Sequence, residues 1–196
     1  MNPKINPRVN DILNFWFGEP QNKEYGKPRK VWFTKNPDFD EQVRSRFYCD
    51  YEAAAVGKLD SWQTAPESCL ALIILLDQFP RNMFRGQWRC YATDDKALSA
   101  AQHAVKWGFD KDMLPVKRWF IYLPYEHSEN LEHQRQSVAL FQQLAGEPDS
   151  ASTIDYALRH YRVIKKFGRF PHRNKILSRE NTPEETEFLK QPGSSF

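Results

Sequence analysis

A chain of 196 residues, 40% hydrophobic and 27% charged, has the material for one well-buried domain of ordinary globular composition. Its net charge of +3 is too weak to imply nucleic acid, and no stretch approaches the roughly 20 apolar residues of a membrane span, so neither partner is expected. Aromatics are abundant at 14%, which points to a core built from large rings. The opening Met1-Asn2-Pro3-Lys4-Ile5-Asn6-Pro7 lacks the apolar core of a signal peptide, and Cys49, Cys69 and Cys90 are an odd number without CxxC spacing. Reduced thiols in a cytoplasmic protein are therefore expected.

Taken in chain order, the signals are helical from end to end. Val9, Ile12, Leu13, Trp16 and Phe17 keep the helical period, and Gly18 stops the first helix. Asp38 with Glu41 reads as a capping box for the second, striped by Phe39, Val43 and Phe47 and closed by Gly57. Thr64 to Glu67 is another such box, with Pro66 near the start of a third helix that runs through the apolar octet Cys69 to Leu76 until Pro80. Thr93-Asp94-Asp95 opens the fourth, which ends at Gly108. Pro115 opens a short fifth, which Pro124 stops. Ser128 caps a sixth helix of about 18 residues carrying Leu131, Val138, Phe141 and Leu144. A seventh spans about Ser152 to Phe167, with Ile154, Leu158 and Tyr161 inward and Gly168 as its C-cap. Thr182-Pro183-Glu184-Glu185 starts an eighth. No period-2 strand and no dividing linker is present, so the fold class is all-α and residues 1–196 form a single helical domain.

Consecutive helices joined by short loops usually pack antiparallel. That parity brings Asp77 to Asn82, Tyr125 to Glu129 and Phe167 to Asn174 to one end of the stack, together with the connection that contains Trp32 and Phe33. Two of these segments are alike: Asp77-Gln78-Phe79-Pro80-Arg81-Asn82 and Gly168-Arg169-Phe170-Pro171-His172-Arg173-Asn174 both follow a helix with Phe-Pro and then present Arg-Asn. Helix termination and the dipole account for the positions. They leave open why Asp77 stands beside Gln78 and why Arg, His and Arg cluster around the second proline.

Tyr125-Glu126-His127-Ser128-Glu129 leads into the sixth helix, whose positive end favours an anion. Glu129 and His133 share a helix face, but there is no HExxH and no Cys/His pattern, so no metal is expected. His160, inside the seventh helix, reads as a hydrogen-bonded core histidine, and Cys69 as inert core. With no GxSxG, Walker motif or GxGxxG, a nucleotide cofactor is not expected either.

Phe15-Trp16-Phe17-Gly18, Leu76-Asp77-Gln78-Phe79-Pro80-Arg81-Asn82, His127-Ser128-Glu129 and Phe167-Gly168-Arg169-Phe170-Pro171-His172-Arg173-Asn174 together resemble the family called domain of unknown function 924. The resemblance covers nearly the whole chain. It implies a tetratricopeptide-like superhelix of antiparallel helix pairs and implies no activity. No 34-residue repeat is visible in the sequence itself. The family pattern reads Leu-Gly-Arg after the final Asn, whereas this chain has Leu177-Ser178-Arg179.

Two functions follow as expectations. The first is a site for a small anionic molecule at that end of the stack, with or without catalysis. Its candidate catalytic side chains are Asp77, His127 and His172, and its candidate ligand-binding ones are Arg81, Glu126, Glu129, Arg169 and Arg173. The alternative is a scaffold that binds a peptide or protein segment in a groove.

Overall fold

The structure, a computed structural model, describes residues 6–147 and 149–195. Met1 to Ile5, the bulk of the segment read above for a signal peptide, lie outside these residues. Among the described residues 66% are helical and there is no strand. The described residues form eight α-helices: α1 (Pro7–Phe17), α2 (Pro37–Ala55), α3 (Pro66–Met83), α4 (Asp94–Lys106), α5 (Pro115–His127), α6 (Leu131–Gln142), α7 (Ala151–Phe167) and α8 (Pro183–Leu189). Short 3₁₀ turns at Lys30–Trp32, Asp60–Thr64, Trp88–Tyr91 and Pro171–Arg173 shape the connections. Among the described residues no helix is long and apolar enough to cross a membrane.

Side-chain contacts show that the directions alternate. Arg8 reaches Asp50, which sets α1 against α2, and Asn82 donates to Asp40, which sets the start of α2 at the end of α3. Thr93 meets Leu76 while Cys69 meets Ala100, so α4 runs opposite to α3. Lys117 pairs with Glu67 and His127 with Asp77, which makes α5 parallel to α3. Trp119 meets Ser150 and His160 meets Glu126, which makes α7 parallel to α5. This alternation of neighbouring helices is consistent with a helical stack.

The core is aromatic at its N-terminal half. Trp16 packs against Trp32, Phe39, Phe79 and Phe120, with ring centroids 5.5–6.0 Å apart. The long connection after α1 is pinned there because Arg29 donates to the carbonyls of Phe15 and Trp16 and the Trp32 indole donates to Trp16. These bonds satisfy carbonyls that the end of α1 leaves open.

Several expected boundaries shift, each for a physical reason. The cap of α2 is Asn36, whose side chain accepts from the Phe39 N–H, and not Asp38. Thr64 does not cap α3; its hydroxyl donates to the Ser61 carbonyl. The inward face of α7 is Ala157, His160, Val163 and Ile164, with Ile154, Leu158 and Tyr161 only half-buried. The expected Gly168 C-cap does occur, left-handed at φ 69°, and the Thr182–Glu185 capping box is complete.

The largest departure is at the prolines. Pro80 and Pro124 do not end their helices, which continue to Met83 and His127. A proline at position 80 cannot donate to the carbonyl of Leu76, four residues back. The buried Thr93 hydroxyl replaces that donor, 2.6 Å from the Leu76 oxygen. The helix therefore survives its proline because the next helix supplies the missing hydrogen bond.

Thr93→Val keeps the shape and removes the donor, so it should lower stability by about 1–3 kcal/mol. Urea unfolding of the two proteins measures this directly. Ser178 adopts a left-handed φ of 54°. That strain is natural to glycine, and Ser178→Gly should raise stability by about 0.5–1 kcal/mol, visible as a higher melting temperature.

Candidate functional site

Helix parity brings the three motifs to one end. Asp77, on the last turns of α3, is 0% exposed. Its Oδ1 lies 2.6 Å from His127 Nδ1, and its Oδ2 accepts from the Gln78 side-chain amide at 2.5 Å. His127 does not enter α6 as expected; it ends α5, and Asn130 caps a shorter α6 of 12 residues. At 1.5 Å per residue that helix is about 18 Å long. Ser128 instead accepts from the Asn130 N–H and bonds His133 Nδ1 at 2.9 Å.

Burial alone would raise the Asp77 carboxyl, but the charges of His127 and Arg81 outweigh it and pull it down to about 2. His127 is itself held below the ordinary imidazole range by burial and by Arg81, with Asp77 acting the other way. The consistent state is an Asp77 carboxylate accepting from a neutral imidazole N–H, which leaves Nε2 as the proton-accepting nitrogen.

The arginines sort into two kinds. Arg81 donates to both oxygens of Asp94, at 2.8 and 2.9 Å, and to the Asp77 carbonyl. Arg169 grips both oxygens of Glu185 at 2.6 and 2.8 Å, which together with the Thr182 N–H holds that carboxyl at about 2. Glu129 accepts from the Phe170 N–H and from two nitrogens of Arg179. These are bidentate locks between elements.

Arg173 is different. Its guanidinium is buried at 6% exposure between the rings of Tyr91 and Phe170, each centroid 4.5 Å away. Its approach to a carboxylate is 3.6 Å from Asp94, which Arg81 already occupies. Among the described residues its side chain donates no hydrogen bond, and Nε is buried without an acceptor. Burial and the neighbouring charge of Arg81 work against its cation.

Glu126 and His160 complete the cluster. His160 Nδ1 donates to the Tyr156 carbonyl at 2.9 Å and lies 3.2 Å from Glu126 Oε1. Burial, helped by the Asp77 charge, raises the Glu126 carboxyl to about 8, and burial lowers His160 to about 3. The contact therefore joins two neutral groups and is not an ion pair. His172, half-buried, is lowered to about 4 by burial and by Arg173.

The sequence reading missed Tyr91, Asp94 and Arg179. Asp94 was explained by the dipole of α4 and so drew no attention, and Arg179 lay in the one motif that departs from the family pattern. Arg85 pairs with Asp40 and Arg89 with Glu52. Cys69 is buried, its thiol pushed up to about 12. Among the described residues no three His, Cys, Asp or Glu side chains are grouped to hold a metal ion.

The motifs that carry the family pattern are thus the ones that meet at this end of the stack, and residues 12–193 match the bacterial family of unknown function, domain of unknown function 924. The chain belongs to that family. It is similar to a protein of unknown function from Agrobacterium tumefaciens, 40% identical over 94% of this chain and 97% of that one, with a TM-score of 0.83. No curated protein matches the chain. Ser178, in the Leu177-Ser178-Arg179 segment, is left-handed.

The Glu126 carboxyl sets a pH signature. Its folded value near 8 lies above the usual carboxyl range, so its contribution to stability is full below about pH 4.5 and is lost as pH rises toward 8. His160 and His172, lowered in the folded state, act oppositely and cost stability as pH falls below about 6.5. Glu126→Gln removes only the first effect. The variant should match the parent near pH 5 and become the more stable protein by pH 8, the gap opening at up to about 1.4 kcal/mol per pH unit. Urea unfolding across that range would show a constant gap if Glu126 were ionised throughout.

Proposed function

We propose that this protein binds a small anionic molecule where the ends of α3 and α5 meet the segment after α7, and that Asp77 and His127 can move a proton there. The observation that supports it is Arg173: a buried cation held by two rings, with no hydrogen-bond acceptor among the described residues. A buried guanidinium without acceptors is costly unless something completes it. Arg81, Arg169 and Glu129 hold the site together through their ion pairs, and Arg173 is the group left for a ligand.

Asp77 fixes the ring and tautomer of His127, as an orienting carboxylate does for a general base. The protonated Glu126 stands one residue away in the chain and supplies a proton donor of opposite sense. His172 adjoins Arg173 and is the second imidazole of the site. The scaffold alternative draws on the exposed rings of Phe33, Trp88 and Trp107, which stand on separate elements and form no continuous stripe along one helix.

Thermal melting in sulfate, phosphate and small carboxylates tests the reading. The parent protein should be stabilised by about 2.7 kcal/mol at an anion concentration 100 times the dissociation constant. Arg173→Met should lose that effect and change the anion-free stability by less than about 1 kcal/mol, because a well-packed apolar chain replaces an incompletely paired charge. A loss of about 3 kcal/mol or more, with no anion effect in the parent, would instead make Arg173 a structural lock.

A further inference from the structure

Arg173 shares the Phe170 ring with two imidazoles. His172 precedes it and lies against Phe170, ring centroids 5.6 Å apart. His160 meets the same Phe170 ring edge-on at 5.4 Å, and the Arg173 guanidinium covers that ring at 4.5 Å. Every packed element contributes charge to this volume. α3 brings Asp77 and Arg81, and the turn and start of α4 bring Cys90, Tyr91 and Asp94. α5 brings Glu126 and His127, the following connection Glu129, and α7 His160, while the last segment brings His172, Arg173 and Arg179.

Arg179 pairs with Glu129, and Arg81 serves both Asp94 and Asp77, while His127 and Glu126 are neutral. Arg173 is then the cation with no carboxylate held at hydrogen-bond distance, and its charge helps to keep His172 and His160 neutral. An anion bound at Arg173 would cancel that repulsion and favour protonation of a neighbouring imidazole. The guanidinium offers a planar fork for two oxygens. A planar carboxylate has no further oxygen to present, whereas a tetrahedral oxyanion directs others out of the plane, toward donors such as a protonated imidazole.

On the footing of the anion site argued above, we propose that the ligand is a tetrahedral dianion, the chemistry shared by inorganic phosphate and phosphate monoesters, and that it binds with uptake of one proton, at His172. The second ligand charge is met by that proton, so the site holds its full positive charge only when occupied.

Calorimetric titration with sulfate tests this, because sulfate stays fully ionised over the range used and any proton taken up belongs to the protein. Titrations at pH 6, 7 and 8, in two buffers of different ionisation enthalpy, should show affinity rising about tenfold per pH unit of acidification and heats that depend on the buffer. Acetate should bind at least about tenfold more weakly than sulfate at pH 6. His172→Asn should keep sulfate binding at pH 8 and lose the pH dependence. Inorganic phosphate and glycerol phosphate, compared at one pH, then separate a free ion from an ester as the better occupant.

Sulfate binding that Arg173→Met abolishes, but that shows no pH dependence and no buffer-dependent heat, would overturn proton coupling while leaving the anion site intact. Acetate binding as tightly as sulfate would overturn the dianion. A pH dependence that persists in His172→Asn and disappears in His127→Asn would overturn the assignment to His172. No sulfate or phosphate binding at any pH would overturn the anion site and this inference together.

Discussion

A carboxylate with no exposure must be met by charge and hydrogen bonds or give up its own charge, and Asp77 is such a carboxylate. Its partners come from two helices. Gln78 and Arg81 stand on α3 itself, and His127 ends α5. Because Arg81 in turn grips Asp94, the start of α4 is tied to the same point. Three helix ends are therefore joined through one buried anion, and the position of everything around Arg173 depends on that junction.

The junction exists only because α3 passes through its proline. Were the helix to stop at Pro80, Arg81 would lose its helical spacing from Asp77, and the i, i+4 contact of 3.2 Å between them would not form. Thr93 makes the continuation possible by donating to the Leu76 carbonyl, and Thr93 is itself positioned by the antiparallel return of α4. Local breaking and tertiary repair thus act on the same turn. The helix that bears the site is held in shape by the helix that its arginine clamps.

The contrast among the arginines has the same origin. Arg81, Arg169 and Arg179 each found a carboxylate able to accept two bonds, and such bidentate pairs join α3 to α4, the end of α7 to α8, and the α5–α6 connection to the final segment. Arg173 lies between rings, with Asp94 only at 3.6 Å, so cation–π contact with Tyr91 and Phe170 holds it without satisfying its N–H donors. The protonated Glu126 keeps a further anion out of the volume, so no fourth carboxylate comes to Arg173.

The sequence by itself determined the helical class, the number of helices and the direction of each. Apolar residues at helical spacing, the glycine at 168 and the capping box at Thr182 act through neighbours a few residues away, and local chemistry is visible in a string of letters. Parity then placed Asp77, His127 and Arg173 at one end without any knowledge of contacts. Only the tertiary structure decided where helices crossed their prolines, because the donor that replaces the one lost at Pro80 stands at Thr93 on the next helix. Tertiary structure alone also decided which of several similar arginines is paired, since Arg169 and Arg173 differ in the residues that folding sets before them: Glu185 for one, and Tyr91 and Phe170 for the other. A pairing across tens of residues depends on distances that no local pattern encodes.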